Sequence, residues 1–297
     1  MARTPFNYIY SEHACELPTR EEYGESFQYW FMQLSERVNN LCVWRGLPLS
    51  IPQREIEFRL NMGGQCWVEQ YKKNVRVFDS SFANQNTIYL DEPSQVNIYS
   101  PIFSATCKRD EGVLIRNNDY ILPTRLVIKH YADKLAHCDL SLTNAMVNTR
   151  AKNVPISASA KMTESLRSWV NRLWSGRVMP IEDKSFSMVE FQKMDTGAST
   201  AIIEILDARK SILQEFYECF GIRNSKIKKA QMTNDEVEAG DAMLLVNVKN
   251  MLECRQAGAC EINEKFGLNV TVDFCDELKQ QFDNDEKGVE LWQQSKS

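Results

Sequence analysis

Residues 124–150 read TRLVIKHYADKLAHCDLSLTNAMVNTR, and no glycine occurs between Gly112 and Gly176. Positions on one face recur at close to 3.5 residues, namely Val127, Tyr131, Leu135, Cys138, Leu142, Ala145 and Thr149. This spacing predicts one amphipathic helix, with Thr124 as its N-cap. At the usual rise per residue the helix is about 40 Å long. The sequence therefore predicts an elongated rod.

A second long helix is predicted from Ser199 to Phe220, because apolar residues recur along one face and Gly221 follows in the position that ends many helices. Between the two helices, Val154–Ser157 and Phe186–Phe191 have the composition of strands, and Met162–Trp174 that of a short helix. The pattern predicts two antiparallel rods that carry a small α/β tip.

The chain before the first rod is predicted to form a helix and then a β module. Apolar residues recur at helical spacing from Gly24 to Trp44, before Gly46 and Pro48. Short β-type runs occupy residues 65–122, and Asn117-Asn118-Asp119 is interpreted as a hairpin turn. Residues 1–23 have no sustained periodicity, which indicates an extended arm.

The chain after the second rod begins with a polar loop, residues 222–240, that contains Lys226, Lys228 and Lys229. Thr233–Glu236 fits a capping box, so helix is predicted to resume there and to end at Gly267. A strand is predicted from Asn269 to Phe274, before a tail of weak pattern. The predicted fold class is α+β.

Composition limits the classes of protein to consider. The 297 residues are 43% apolar, which is enough to bury a core, and their longest apolar run, Ala242–Val246, is too short to cross a bilayer. Nine cysteines without a CxxC pair are typical of a reducing compartment. We therefore expect a soluble protein made in the cytoplasm, without disulfides or a structural zinc site.

Charge is segregated along the chain. The formal net charge is −5, but residues 125–193 hold eleven Lys or Arg against six Asp or Glu. That span therefore carries +5 and the remainder −10. This distribution argues against a general nucleic-acid coat and indicates one region that tolerates polyanions.

The sequence offers little catalytic chemistry. GxSxG, HExxH, P-loop and GxGxxG motifs do not occur. His130 and His137 are too far apart on one helix to chelate a metal alone, so we interpret them as packing or surface residues. Cys254 and Cys260 are interpreted as buried thiols. We expect no catalytic residue, metal or cofactor, and the protein is predicted not to be an enzyme.

Five segments together are similar to portal proteins, also called upper collars or head-tail connectors, of small short-tailed phages with protein-primed linear genomes. The resemblance covers roughly residues 25–275 and rests on order and spacing. In sequence, the segments are Trp44-Arg45-Gly46-Leu47-Pro48, Gly112-Val113-Leu114-Ile115-Arg116-Asn117-Asn118-Asp119, Phe220-Gly221-Ile222-Arg223-Asn224, Lys228–Val237 and Ala259–Val270.

The resemblance implies a dodecameric ring with a central channel at one capsid vertex. Each subunit would have a β-rich wing, two long antiparallel stem helices and a small α/β clip. The implied divisions are an arm (1–23), wing (24–122), stem helix (123–151), clip (152–193), second stem helix (194–221), tunnel loop (222–240), wing helix and strand (241–275) and tail (276–297).

The resemblance also implies partners and contact residues. Double-stranded DNA would be packaged and ejected through the ring, and would contact Lys226, Lys228 and Lys229. The clip would contact a partner or DNA through Arg167, Arg172 and Arg177. The implied partners are a packaging ATPase, capsid and scaffold proteins, and lower collar or tail proteins.

The resemblance places the protein at the portal vertex of the virion, after synthesis in the cytoplasm of a bacterial host. A packaging RNA is an open question, because the family's arm is strongly basic whereas residues 1–23 carry net charge −2. A basic ring inside the stem is also an open question. The family carries lysines on the channel side of the second stem helix, whereas this sequence has Glu204 and Asp207 there. The alternatives are another collar or adaptor ring of the virion, or a DNA-processing enzyme such as a nuclease.

Overall fold

The structure is a computed structural model that describes residues 21–84, 93–149, 153–156, 190–193, 198–222 and 234–280. Its contacts divide the chain into two compact units. The first unit contains residues 28–132 and the chain from residue 214 onward. The second contains residues 19–27 and 133–213.

The described elements confirm the α+β class. In chain order they are α1 (Glu21–Asn39), β1 (Cys42–Arg45), α2 (Gln53–Gly63), β2 (Gln65–Tyr71), β3 (Asn74–Asn84), β4 (Gln95–Tyr99), β5 (Ser104–Lys108), β6 (Gly112–Arg116), α3 (Arg125–Asn148), β7 (Asn153–Ile156), β8 (Glu190–Lys193), α4 (Ala198–Glu218), α5 (Asn234–Phe266) and β9 (Thr271–Phe274).

The first unit is built on a five-stranded antiparallel sheet with the order β5-β4-β3-β2-β6. Trp67 on β2 is completely buried at the centre of an apolar cluster. Its neighbours are Phe78, Val96, Ile98, Cys107 and Leu114, which come from the four other strands. The predicted β module between residues 65 and 122 is confirmed.

A second sheet in the same unit joins distant parts of the chain. Strand β1 pairs antiparallel with β9, with Cys42 opposite Phe274 and Arg45 opposite Thr271. Helix α5 packs against both β6 and β9. The prediction that the first helix extends to Trp44 is therefore wrong, because residues 42–45 form a strand. Pairing with a strand more than 200 residues away overrides the local helical periodicity.

The predicted rods are confirmed as α3 and α4, whose ends lie within two residues of the predicted bounds. Gly221 has a φ of 64°, which is the left-handed conformation predicted for the residue after the second rod. Helix α5 begins at Asn234, within the predicted capping box. Residues 234–240 are consequently helical rather than part of a loop. None of the described helices is both long enough and apolar enough to span a membrane.

Two further sequence interpretations need correction or qualification. Asn117–Asp119 is not a hairpin turn, because the chain passes from β6 into α3 and the asparagine side chains bond the intervening backbone. In the second unit β7 pairs with β8, which supports the predicted strands around Val154 and Phe191. The predicted helix Met162–Trp174 lies outside the described residues.

Candidate functional site

The six contact residues expected from the resemblance fall outside the described ranges. Lys226, Lys228 and Lys229 lie between α4 and α5, and Arg167, Arg172 and Arg177 lie between β7 and β8. The described residues instead define the elements that flank these segments. We therefore consider first what holds those elements in place.

A buried ion pair joins α5 to α2. The Arg255 guanidinium binds the Glu57 carboxylate through two hydrogen bonds, from Nε to Oε1 and from Nη2 to Oε2, each 2.9 Å long. Arg255 is fully buried and Glu57 is 1% exposed. Such a bidentate pair fixes both distance and orientation. It links residues 198 positions apart in the sequence.

Trp44 and Asn117, which belong to two of the five segments similar to portal proteins, complete this network. Trp44 Nε1 donates to Glu57 Oε1 at 2.7 Å, and Arg255 donates to both the backbone carbonyl and the side-chain carbonyl of Asn117 at 3.1 and 3.0 Å. The Asn117 amide group in turn donates to Leu122 O and Thr124 Oγ1. One buried network therefore joins α2, β1, α5 and the connection from β6 to α3.

The charges in this network stabilise each other. Burial opposes ionisation of Arg255, but attraction to Glu57, together with the hydrogen bonds between them, raises the pKa of the guanidinium. Arg255 thus stays charged although it has no contact with solvent. This arrangement can hold helices and strands in register, because the side chains that form it are all buried.

The facing helices α3 and α4 contact each other within each unit. In the first unit the Tyr131 ring lies edge-on to Phe216 at 5.6 Å, and its hydroxyl is 3.3 Å from Cys219 Sγ. In the second unit Arg209 Nη1 lies 3.5 Å from Asp139 Oδ1. The earlier residue of α3 contacts the later residue of α4, and the later residue of α3 contacts the earlier one, as expected of antiparallel helices.

Cations on α4 are paired with carboxylates. Arg209 binds Asp139, and Lys210 binds Asp207 at 3.1 Å on an exposed surface. Residues 125–148 and 198–218 together contain five Lys or Arg and six Asp or Glu. The two helices therefore carry no excess of positive charge that would hold a polyanion tightly.

The second unit has its own polar cluster between α1 and α3. The Tyr23 hydroxyl donates to Asp133, and Ser26 Oγ donates to Asp139 at 2.9 Å. Burial, together with the hydrogen bond and charge of Asp133, raises the pKa of Tyr23. His137 packs on the Tyr23 ring at 5.0 Å. This phenol is protonated at neutral pH, so the cluster acts as a helix contact.

Histidine and cysteine side chains show no converging ligand set among the described residues. His130 packs edge-on to Tyr131. Cys254 is buried as predicted, and burial with the nearby Asp119 raises its thiol pKa to about 11. Cys260 is exposed, which contradicts its interpretation as a buried thiol. Gly258, two positions earlier on α5, closely approaches Ile115 of β6.

Sequence reasoning missed the Glu57–Arg255 pair, although a signal was present. Arg255 occupies one position of the apolar repeat that includes Leu252, Ala259 and Ile262. An arginine on an otherwise apolar seam indicates a buried partner, because an unpaired charge there is very costly. The identity of the partner requires the tertiary structure, since Glu57 belongs to a helix early in the chain.

These residues define an α+β protein in which the buried polar network of the described residues connects elements of the same chain. The model of the family described as Phage Connector (GP10) matches residues 15–279. Because this match covers most of the 297 residues, the chain belongs to the phage connector family. The resemblance seen in the sequence is confirmed, and the protein is a phage portal, or head-tail connector, protein.

Solved structures give more distant likenesses. The chain is similar to one in the portal and tail of native bacteriophage P68, with 16% identity, a TM-score of 0.47, and coverage of 86% of this chain and 88% of that one. It is also similar to one in the virion of a native gene transfer agent particle, with 11% identity, a TM-score of 0.48, and coverage of 99% and 89%.

Proposed function

We propose that this connector protein forms a dodecameric ring at the portal vertex of the virion, and that double-stranded DNA enters and leaves through its central channel. The observation that carries this proposal is the match to the connector family over residues 15–279. The wing would comprise the two sheets with α2 and α5, and α3 and α4 would form the stem. Ring closure would bury the flanks of stem helices that expose apolar residues such as Met146 and Ile203.

The ring is proposed to be a conduit without enzymatic activity. A separate ATPase would supply the work of packaging, and capsid and scaffold proteins would surround the ring. The near-balanced charge of α3 and α4 suits this role, because tight phosphate binding would hinder the sliding of a polyanion. Synthesis would take place in the bacterial cytoplasm.

Lys226, Lys228 and Lys229 are proposed to contact DNA in the channel. They occupy the connection between α4, which ends at Glu218, and α5, which begins at Asn234. Ring symmetry would repeat each lysine around the bore and create a cationic collar from a small cluster. Contact with phosphates is independent of base sequence, which suits passage of a whole genome.

Arg167, Arg172 and Arg177 are proposed to bind a partner at the clip, where the lower collar or tail proteins would dock. These arginines belong to the segment of the sequence with excess positive charge, residues 125–193. Guanidinium groups suit carboxylate and phosphate partners equally, so DNA is the alternative ligand. The participation of a packaging RNA is an open question, because residues 1–23 carry a net negative charge.

Imaging of the purified protein tests the ring directly. Negative-stain micrographs are expected to show closed rings with an axial hole, and a compact monomer at micromolar concentration would contradict the proposal. Incubation of the same preparation with linear DNA and Mg²⁺ is expected to leave the DNA intact. Metal-dependent cleavage would instead favour a DNA-processing enzyme.

A further inference from the structure

The connection between β6 and α3 presents an exposed aromatic side chain on a firmly held loop. Tyr120 is 85% exposed, and Leu122 beside it is 55% exposed. Between them Ile121 has a φ of 58°, which is rare for a β-branched residue. Backbone held in such a conformation is found mainly where surrounding bonds determine it, and often at functional surfaces.

Hydrogen bonds on both sides of Tyr120 hold this loop. The Asn118 side chain both donates to Leu122 O and accepts from Leu122 N, each at 2.9 Å. Asp119 is fixed from α5, because Asn250 accepts from its backbone N at 3.1 Å and donates to its carboxylate at 2.6 Å. The backbone that carries Tyr120 is therefore held on both sides and has little freedom left to lose on binding, which favours association.

An aromatic groove lies at the other end of the same sheet. It has a volume of about 750 Å³. The Tyr71 and Phe103 rings, which line it, stack at 5.0 Å, and Phe78 lies edge-on to both. Leu49 and Ile102, also lining residues, are 105% and 82% exposed. An exposed apolar concavity of this kind is typical of a protein-binding surface.

Strand register places the loop and the groove apart. Tyr71, at the end of β2, lines the groove, whereas Gly64, just before the start of β2, accepts a hydrogen bond from Asn117 at the base of the loop. The seven residues of β2 therefore separate the two features by roughly 20 Å. The loop cannot fill the groove of its own subunit.

Their charges are complementary. Exposed Lys72 and Arg76 line the groove beside the paired Glu55 and Arg59, which leaves the lining with a net positive charge. Exposed Asp119 lies next to Tyr120 in the loop. A protrusion and a complementary groove on different parts of one subunit make a heterologous contact, which closes into a ring when the rotation between subunits permits. A second copy of this chain is thus an occupant that supplies both the shape and the charge.

We propose that the Tyr120 loop, residues 118–122, inserts into the aromatic groove of a neighbouring copy of the chain. This inference rests on the proposed ring and names one of its subunit contacts. Tyr120 would pack against the Tyr71–Phe103 stack, and Asp119 would face the cations at the groove. Buried aromatic anchors of this kind contribute disproportionately to interfaces.

Photo-crosslinking in the assembled protein tests the contact. Tyr120 is replaced by p-benzoylphenylalanine, rings are confirmed by negative stain, and the irradiated product is digested for mass spectrometry. We expect dimeric products joined to residues 71–78 or 99–103. The same probe at Tyr29, an aromatic residue 55% exposed, is the control and is expected not to label those segments.

Substitutions provide an independent measurement. Tyr120→Ala and Ile102→Asp are each expected to raise the concentration at which half the protein is assembled at least tenfold, with an unchanged melting temperature for the monomer. Rings that form normally while the probe at position 120 labels only other segments, or none, would overturn this contact and leave the proposed ring intact. A protein that forms no ring at all would overturn both.

Discussion

At the scale of single residues, the buried Arg255–Glu57 pair is the strongest expected determinant of stability. Arg255→Met should lower the free energy of unfolding by about 3–5 kcal/mol, because it leaves the Glu57 carboxylate buried without its cation. Adding Glu57→Leu should recover part of that loss, since the unpaired charge is then removed. Urea denaturation of the purified variants measures both effects.

A matched control for this prediction is Arg109, which forms a 2.8 Å pair with Glu261 on the same helix as Arg255. Both side chains of that pair are more than a third exposed, so Arg109→Met should cost no more than about 1 kcal/mol. Equal losses of unfolding free energy in Arg255→Met and Arg109→Met would show that burial does not increase the contribution of the Arg255–Glu57 pair to stability.

Thiol reactivity provides a second prediction for single residues. Burial raises the pKa of Cys42 to about 12 and, with Asp119, that of Cys254 to about 11. Because the thiolate is the nucleophile, both should stay protonated and resist iodoacetamide at pH 8 in the native protein. Cys260 is exposed on the same helix as Cys254 and should be alkylated before both of them. Peptide mass spectrometry gives the order, and faster labelling of Cys254 than Cys260 would contradict it.

At the scale of elements, two adjacent glycines at the end of α2 should respond in opposite directions to substitution. Gly64 has a φ of 83°, and a Cβ there would lie 2.2 Å from the carbonyl oxygen of Ile121. Gly64→Ala should therefore destabilise the protein by at least about 2 kcal/mol, from left-handed strain together with the clash. The same clash would displace the connection that presents Tyr120.

Gly63 is the internal control for Gly64. A Cβ at Gly63 would meet nothing within 4 Å, and the residue has a helical environment. Gly63→Ala should stabilise the protein by about 0.5–1 kcal/mol, because alanine loses less backbone entropy in a helix. Thermal unfolding should thus shift upward for Gly63→Ala and downward for Gly64→Ala. Shifts in the same direction would refute the assigned turn.

Local periodicity explains which elements could be predicted from sequence. The ends of α3 and α4 were predictable to within two residues, since each helix has a sustained apolar repeat and a capping or glycine signal. Strand β1 was not, because Cys42–Arg45 continues the helical repeat of α1 and becomes a strand only through β9. Likewise Asn117 and Asn118 have the composition of a turn, but their bonds hold a strand-to-helix connection.

At the scale of the whole molecule, the family could be predicted from the sequence, but the buried network could not. Order and spacing of five segments were enough to indicate the connector family, which the family match confirms. The network that unites two of those segments was not predictable, because Trp44 and Asn117 meet only through Glu57 and Arg255. Their role is thus structural, since they connect β1, α2 and α5 with the chain between β6 and α3.

The proposed channel collar leads to a prediction for the assembled particle. Lys228→Ala/Lys229→Ala should leave ring formation intact, because the polar sequence around these lysines predicts a surface position, where substitutions usually change stability by only about 0.5 kcal/mol. Retention of packaged DNA should fall, since the phosphates would lose cations repeated around the bore, and the difference from wild type should shrink as salt weakens that attraction. Quantification of DNA in purified particles at two salt concentrations measures both effects.

The control variant removes the same charge from the proposed wing. Lys108 and Arg45 are exposed residues of the first unit, and the pair between Arg45 and Asp276 is 3.7 Å long and exposed. Arg45→Ala/Lys108→Ala should retain DNA like the wild type, because these cations would lie outside the proposed bore. If the two double variants lose DNA equally, net charge rather than a collar governs retention. If both retain it fully at low salt, Lys228 and Lys229 have no part in holding the genome.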